Sequence, residues 1–251
     1  MLSKNKIKFI RSLEKKKFRN ESGCFLSEGN KLVADILPFF ECELLIARSS
    51  WLATQGDIHA KELIVVEEED IRKASLLKNP QDVIAVFRQP EYVLDVDSLN
   101  DKLNLVVDGV QDPGNLGTII RIADWFGISD VICSIDSVDV YNPKVIQATM
   151  GGIARVRIHY TELAELLSLK REIPVYGTFL EGDTIYTKEL SPVGFIVMGN
   201  EGNGISPAVE SLITDKLYIP DFSEEECSTE SLNVAVATAI VCSEFRRRTL
   251  T

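Results

Sequence analysis

The sequence predicts an α/β protein in two parts, with a smaller mixed unit followed by a larger parallel sheet. From residue 103 onward, apolar runs alternate with helical periodicity, which is typical of a parallel sheet covered on both faces. Residues 24–88 show shorter strand-like runs bounded by polar residues, Gly or Pro. The acidic stretch 91–102 has the composition of a linker. We therefore place the domains at 1–90 and 103–251.

The elements of the first part follow from short apolar runs between turn residues. The predicted strands are 24–27, 43–47, 62–66 and 83–87, and the predicted helices are 30–37 and 69–76.

The elements of the second part are predicted from continuous apolar strands and from apolar residues at helical spacing. The predicted strands are 103–107, 131–133, 156–159, 175–179, 195–198 and 217–219. The predicted helices are 118–126, 143–148, 162–169, 207–213 and 232–245. In such sheets ligands bind at the carboxyl ends of the strands, so the motifs at those ends are the candidate site.

Charge is distributed unevenly along the chain. Residues 1–20 carry a net charge of +7, so the remaining 231 residues of this chain of net charge −11 carry −18. A basic arm on an acidic body is either a phosphate-binding segment or a solubilising tail, and charge alone leaves both open. The candidate phosphate-binding residues are Lys4, Lys6, Lys8, Arg11, Lys15, Lys16, Lys17 and Arg19.

Several classes of protein are excluded by composition. No apolar run approaches the roughly 18 residues of a membrane span, and no apolar segment of a secretory signal follows the basic start. The five cysteines form no CxxC pair, and His59 and His159 are isolated. We expect a reduced, cytoplasmic protein without a metal site.

The first strand-end motif is DGVQDPGNLGTIIR, residues 108–121. Its glycines match neither a dinucleotide-binding nor a P-loop pattern. Arg121 falls in the first turns of the predicted helix 118–126, where a cation is electrostatically unfavourable. This favours a functional role for Arg121, the alternative being a surface ion pair with Asp124.

The second and third motifs follow later strands. GNEGNG, residues 199–204, places Glu201 in a glycine-rich loop where backbone can approach a ligand closely. SLNVAVA, residues 231–237, begins the last helix, with Ser231 as the expected N-cap and Asn233 as an unusual polar residue. That helix is apolar nearly all round, which predicts a subunit interface.

Together these three motifs resemble those of the SpoU (TrmH-like) ribose 2′-O-methyltransferases over about residues 103–246. The resemblance implies a SPOUT-type α/β fold with a C-terminal deep trefoil knot, bound S-adenosylmethionine and a homodimer with a composite active site. It implies catalytic or positioning roles for Arg121, Asn115, Glu201, Asn233 and Ser231. It implies cofactor contacts at Thr178, Gly199, Gly204, Ile219 and Leu232.

Residues 1–90 are similar to the L30e-like domain of rRNA-directed members, through the basic start and Cys24-Phe25-Leu26-Ser27-Glu28-Gly29. Smaller tRNA-directed members lack this domain, which favours rRNA over tRNA. One departure is the acidic segment DFSEEECSTE, residues 221–230, which is longer than the usual linker.

The implied chemistry transfers a methyl group from a sulfonium to a ribose 2′-hydroxyl, which must lose its proton and be aligned without a metal. A guanidinium is normally always charged, so Arg121 is either a base or an electrostatic clamp, and we favour the clamp. Two alternatives remain: a tRNA methyltransferase, or an RNA-binding protein of the same fold without catalysis. The sequence lacks the fingerprint of a nucleotide-dependent oxidoreductase.

Overall fold

The computed structural model describes residues 1–222 and 231–250, which divide into two units. The first unit contains Met1–Glu91 and Asp139–Ala154, and the second contains Tyr92–Val138 and the described residues from Arg155 onward. Each unit has its own buried apolar core.

The first unit is built on a four-stranded mixed sheet. Its strands are β1 (Cys24–Glu28), β2 (Cys42–Ala47), β3 (Leu63–Val65) and β4 (Val83–Arg88), in the order β1-β4-β2-β3. β4 pairs antiparallel with β1 and β2, and β2 pairs parallel with β3. The helices before residue 92 are α1 (Lys4–Ser12), α2 (Lys16–Ser22), α3 (Asn30–Ile36), α4 (Ser49–Leu52) and α5 (Glu68–Ala74).

The basic arm is therefore helical, whereas the sequence analysis assigned it no element. Ser3 caps α1 by accepting a hydrogen bond from the Lys6 backbone, and Gly23 ends α2 in the left-handed conformation. Ile10 and Leu13 are fully buried in the core of the unit. These contacts stabilise a lysine-rich segment whose composition hides the helical pattern.

The second unit is a seven-stranded parallel sheet in the order β7-β6-β5-β10-β8-β11-β9. The strands are β5 (Leu103–Val107), β6 (Asp130–Ser134), β7 (Arg157–Thr161), β8 (Val175–Phe179), β9 (Asp183–Thr184), β10 (Gly194–Met198) and β11 (Asp215–Tyr218). The helices of this unit are α6 (Pro113–Trp125), α8 (Leu163–Ser168), α9 (Pro207–Glu210) and α10 (Val234–Arg247). The predicted parallel α/β sheet is confirmed, and the sequence missed only the two-residue β9 among its described strands.

Two predicted helices of this unit differ from their predicted bounds by three residues or more at one end. α6 begins five residues before the predicted start at Thr118, because Asp112 caps it and Pro113 occupies its first position. α9 is shorter than the predicted 207–213 and ends at Glu210. Residues 223–230 join β11 to α10 and lie outside the described residues, so the trefoil knot and a role for the acidic segment stay predictions.

A short segment from the middle of the chain belongs to the first unit. It contains α7 (Pro143–Thr149), which packs on β1. The rings of Phe25 and Tyr141 stack with their centroids 5.1 Å apart. The Gln147 amide donates a hydrogen bond to the Glu28 carbonyl at 2.7 Å. Residues 139–154 thus fold with the N-terminal sheet although they follow β6 in sequence.

Candidate active site at the carboxyl edge of the parallel sheet

Three of the predicted site residues meet where β5, β10 and the start of α10 come together. Asn115 donates a side-chain hydrogen bond to Glu201 Oε1 at 2.6 Å. The Asn233 amide donates to the same oxygen at 2.8 Å and to Asn115 Oδ1 at 3.0 Å. Residues separated by up to 118 positions therefore form one polar cluster, which we call the Asn–Glu–Asn cluster.

Local capping fixes the first and last members of this cluster. The Asp112 carboxylate accepts a hydrogen bond from the Asn115 backbone at 2.9 Å, which starts α6 just before Asn115. Asn233 Oδ1 accepts from the backbones of Ala235 and Val236, so Asn233 is the N-cap of α10. The prediction that Ser231 is the N-cap is wrong. Ser231 is exposed and lies two residues before the cap.

Two further residues, to which the sequence analysis gave no role, attach the Glu201 loop to the first motif. The Asn200 amide donates to the Gly109 carbonyl at 2.7 Å, while its oxygen accepts from the backbones of Gly202 and Asn203. Asp108, 6% exposed, accepts from the Ser206 backbone at 2.7 Å. Their positions in the sequence could have identified these two residues, because Asp108 directly follows β5 and Asn200 directly precedes Glu201.

A cleft of about 210 Å³ opens beside the cluster. Asn115, Glu201, Asn200 and Val234 line it together with Val110 and Gln111. The cleft lies wholly in the second unit and is bordered by the loops that follow β5 and β10. Its polar side chains are well placed to orient a hydroxyl-bearing substrate.

The predicted cofactor residues occupy the carboxyl ends of three adjacent strands. Thr178 lies near the end of β8, Gly199 directly follows β10, and Ile219 directly follows β11. Thr178 is half-buried and its hydroxyl lies 3.4 Å from the Val197 carbonyl. Leu232, 46% exposed, directly precedes the cap of α10.

The backbone of the glycine-rich loop explains two of its glycines. A side chain at Gly199 would place its first carbon 2.4 Å from the carbonyl carbon of Gly204. Gly204 has a φ of +68°, a conformation that other residues rarely adopt. The loop can therefore fold back on itself tightly and leave its backbone at the strand ends. Strand-end backbone beside Thr178 and Ile219 suits the adenosyl group of S-adenosylmethionine, which is held largely by main-chain atoms and apolar contacts.

Arg121 is not among the residues that line this cleft. It lies in the third turn of α6 because the helix begins at Pro113, so the argument that it opposes the positive end of the helix is wrong. Its side chain is exposed. The alternative ion pair with Asp124 is also absent from the described residues, since Asp124 pairs with Arg155 at 2.7 Å.

The basic residues of the arm differ in their surroundings. Six of them are exposed: Lys4, Lys8, Arg11, Lys15, Lys16 and Lys17. Lys6 is partly exposed and pairs with Glu62. Arg19 is only 2% exposed and pairs with Asp139. Its guanidinium is used inside the first unit, which removes Arg19 from the basic surface that the sequence predicts.

The described residues contain no group of three or more His, Cys, Asp or Glu side chains placed to hold a metal ion. Within residues 1–222 and 231–250, none of the helices combines the length and apolar character of a membrane span. Cys24, Cys42, Cys133 and Cys242 are buried free thiols.

Comparison with family models finds two matches. The SpoU rRNA Methylase family matches residues 102–243, and the MRM3-like substrate binding domain matches residues 4–85. The Asn–Glu–Asn cluster lies within the first match.

Similar proteins cover nearly the whole chain. The 23S rRNA (guanosine(2553)-2′-O)-methyltransferase RlmP of Bacillus subtilis is 31% identical over 246 residues, 96% of each protein. A solved structure from Porphyromonas gingivalis, assigned to the TrmH family of RNA methyltransferases, is 44% identical with a TM-score of 0.88 over 99% of each chain. An AdoMet-bound rRNA methyltransferase from Sinorhizobium meliloti is 30% identical with a TM-score of 0.83, covering 100% of this chain and 97% of the other.

Proposed function

The chain belongs to the SpoU rRNA methylase family, and on that premise we propose that it methylates a ribose 2′-hydroxyl of rRNA. The observation that carries the proposal is the Asn–Glu–Asn cluster, which unites all three sequence motifs at one edge of the sheet. The cofactor is S-adenosylmethionine. We propose a cytoplasmic location, as for a bacterial 23S rRNA methyltransferase such as the Bacillus subtilis relative.

The predicted cofactor residues would contact S-adenosylmethionine through both backbone atoms and side chains. S-adenosylmethionine supplies a methyl group on a positively charged sulfur. Gly199 and Ile219 would hold the adenosyl group through backbone atoms at the ends of β10 and β11. Thr178 and Leu232 would pack beside it. Gly204 lets the loop close around this position because of its positive φ.

The polar cluster orients the reacting ribose. Glu201 Oε1 accepts hydrogen bonds from both asparagine amides, so the three side chains hold one another in fixed positions. Such a preorganised group aligns a hydroxyl without reorganising during the reaction. Ser231, two residues before Asn233, would contact the same nucleotide.

Arg121 would act on the hydroxyl as it loses its proton. Its planar, permanently charged guanidinium can contact a phosphate and the developing alkoxide together, which stabilises negative charge there. Arg121 does not line the cleft of its own chain. We therefore propose a homodimer in which Arg121 of one subunit completes the site of the other.

The first unit supplies the candidate surface for binding the substrate. The MRM3-like domain supplies the exposed lysines of α1 and α2, which would neutralise rRNA phosphates. The relative in Bacillus subtilis carries 23S rRNA in its name and matches 96% of this chain. Both points favour rRNA over tRNA.

The function is tested by transfer of labelled methyl from S-adenosylmethionine to RNA isolated from a strain lacking the gene. We expect label in rRNA as 2′-O-methyl groups, found by mapping alkali-resistant positions. Label in tRNA and not in rRNA would identify tRNA as the substrate. Binding of RNA and cofactor without transfer would identify a non-catalytic member of the fold.

Replacing Arg121 tests the mechanism. Arg121→Ala should lower turnover at least about a hundredfold, because one electrostatic or acid–base contributor is lost. Binding of S-adenosylmethionine, measured by calorimetry, should be retained. Methylation by this variant at the wild-type rate would remove Arg121 from the mechanism.

Arg121→Lys separates the two roles of the arginine. A clamp should give partial activity with a wild-type pH profile, since the charge remains and the planar fork is lost. If Arg121 is a base, the activity of the Lys variant should rise with pH, and this rise should occur at a lower pH than in the wild type, because lysine titrates below arginine.

A further inference from the structure

The segment 4–22, which contains α1, α2 and the turn between them, forms a fixed surface that we call the α1–α2 ridge. The buried Arg19 guanidinium donates hydrogen bonds to the carbonyls of Leu13 and Glu14, at 2.9 and 2.8 Å, and so holds the turn. Arg11 donates to the carbonyls of Lys73 and Ser75 at the C-terminal end of α5, at 3.3 and 3.2 Å. The ridge is attached at both helices and is not a loose tail.

The charge of the ridge remains open to solvent. Lys4, Lys8, Lys15 and Lys16 are exposed, and the described residues give none of them an ion-pair partner. Lys17 is also exposed, and its nearest carboxylate, on Glu21, lies 3.8 Å away. A chain whose other 231 residues carry −18 thus presents its strongest positive charge on one short surface.

Two aromatic rings lie among these lysines. Phe9 is 36% exposed and follows Lys8, and Phe18 is 39% exposed and follows Lys17. Lys15 is three residues from Phe18, a spacing that places neighbours on one side of a helix. Elsewhere in this unit, Phe25 and Phe87 are fully buried, and their ring centroids lie 5.5 Å apart in a tilted arrangement. Phe9 and Phe18 therefore lie outside the aromatic core of the unit, and both belong to the ridge.

We propose that the α1–α2 ridge binds unpaired nucleotides of the RNA substrate, with bases stacked on Phe9 and Phe18 and phosphates on the exposed lysines. Every base has a face that stacks on an aromatic ring, and the chain phosphates follow the positive charge. A duplex hides those faces. The proposal rests on the proposed function, and it assigns a single-stranded or looped RNA segment to the ridge.

A membrane surface is the other partner that basic and aromatic residues suit. Membrane binding needs a continuous apolar helix face directed outward. On the ridge the apolar residues Ile10 and Leu13 are fully buried, and only the two separate rings are exposed. Charge with isolated rings fits an RNA strand better than a lipid interface.

The test measures binding of the full-length protein, without cofactor, to a 12-nucleotide oligouridylate and to a blunt 12-base-pair RNA duplex by fluorescence anisotropy. Phe9→Ala and Phe18→Ala should each weaken binding of the single strand about tenfold, with an unchanged salt slope. Duplex binding should change by less than about twofold. Phe18→Trp should keep the affinity, because the ring is retained.

Phe39→Ala is the matched control. Phe39 belongs to the same unit and is 56% exposed, but it lies beside Glu41 and away from the ridge in sequence. This variant should bind both RNAs like the wild type. Lys15→Ala and Lys16→Ala should weaken the binding of both RNAs. Each should also lower the slope of log affinity against log salt concentration by about 0.7 for the single strand.

Several outcomes would overturn the proposal. These are wild-type affinity of Phe9→Ala and Phe18→Ala for the oligouridylate, equal losses on the duplex, or no binding of the single strand by the wild type. If Phe9→Ala and Phe18→Ala lost binding to vesicles of anionic phospholipid but bound RNA like the wild type, the ridge would be assigned to a membrane instead. Stacking-dependent RNA binding without methyl transfer would support the ridge and reject the proposed function, so the two failures are distinguishable.

Discussion

At the scale of single residues, the position of Glu201 depends on neighbours from distant parts of the chain. Asn115 and Asn233 hold its carboxylate, and Asn200 holds the loop that carries it. Asn200 makes no hydrogen bond to the carboxylate among the described residues. It therefore acts as a positioning residue, through the loop backbone.

Asn200→Ala should lower kcat about tenfold, because three hydrogen bonds of about 1 kcal/mol each no longer hold the loop. RNA affinity should be kept, since the α1–α2 ridge is unchanged. Single-turnover kinetics and anisotropy measure the two quantities.

Asn203→Ala is the control, because Asn203 contributes only its backbone to this network. Asn200→Asp keeps the two acceptor contacts and loses the donor to Gly109, so its rate should be intermediate. Equal rates for the Asn203 and Asn200 variants would contradict the positioning role.

Sequence reasoning found the cluster residues but not how they are held. Ser231 and Asn233 are both good N-caps, and propensity cannot choose between them. The choice depends on Asn115 and Glu201, which are distant from Asn233 in sequence and contact it only in the folded chain. The roles of Asp108 and Asn200 are contacts between motifs, which no single motif encodes.

At the scale of elements, one charge network secures the start of β6. Asp130 is 3% exposed and accepts hydrogen bonds from Arg157, Lys102 and His159. Burial by itself would raise the pKa of Asp130, but these hydrogen bonds hold that pKa well below its usual range. The network joins β6, β7 and the segment before β5.

Asp130→Asn should lower the free energy of unfolding by about 3 kcal/mol at pH 7, because it removes a buried carboxylate that pairs with Arg157 and Lys102. A carboxyl whose pKa is lowered on folding stabilises the protein above its unfolded pKa of about 4 and loses that effect as the pH falls further. The difference from wild type should therefore narrow in urea titrations below about pH 4.

Asp124→Asn provides the comparison. It breaks an ion pair whose carboxylate is 23% exposed, against 3% for Asp130, and should cost about 0.5 kcal/mol. Equal losses for the two variants would contradict the role of burial at Asp130.

How well the sequence predicts an element depends on what stabilises it. β5, β8 and β10 were predicted nearly to the residue because each is a continuous apolar run in the interior of a parallel sheet. α1 and α2 were missed because tertiary contacts of Ile10, Leu13 and Arg19 hold them. The early start of α6 was readable from Asp112 and Pro113, which also suit a turn.

At the scale of the whole molecule, the last helix has an unpartnered apolar side. α10 buries Val241 and Phe245 inside its own unit but leaves Val236 50% exposed. α6, which packs against α10, carries Trp125 at 84% exposure. Exposed apolar residues on two adjacent helices are typical of a subunit interface.

Val236→Glu should convert the proposed dimer to a monomer, because a carboxylate would be buried in the interface. Methyl transfer should fall with it if Arg121 acts on the partner's site. Light scattering at micromolar concentration measures the first effect. Leu169→Glu, at a residue 69% exposed on the end of α8, should leave the dimer intact. A stable, active wild-type monomer would contradict the proposed dimer.

The segment that contains α7 bears on how such a protein can be recombined. The SpoU family match includes residues 139–154, yet Tyr141 and Gln147 bind the N-terminal sheet. A gene fusion cut at residue 90 would separate these partners while leaving the family match intact. A chimera that exchanges the first unit must therefore carry residues 139–154 with it, as a second insert. The region matched by the SpoU family and the second folding unit therefore have different boundaries.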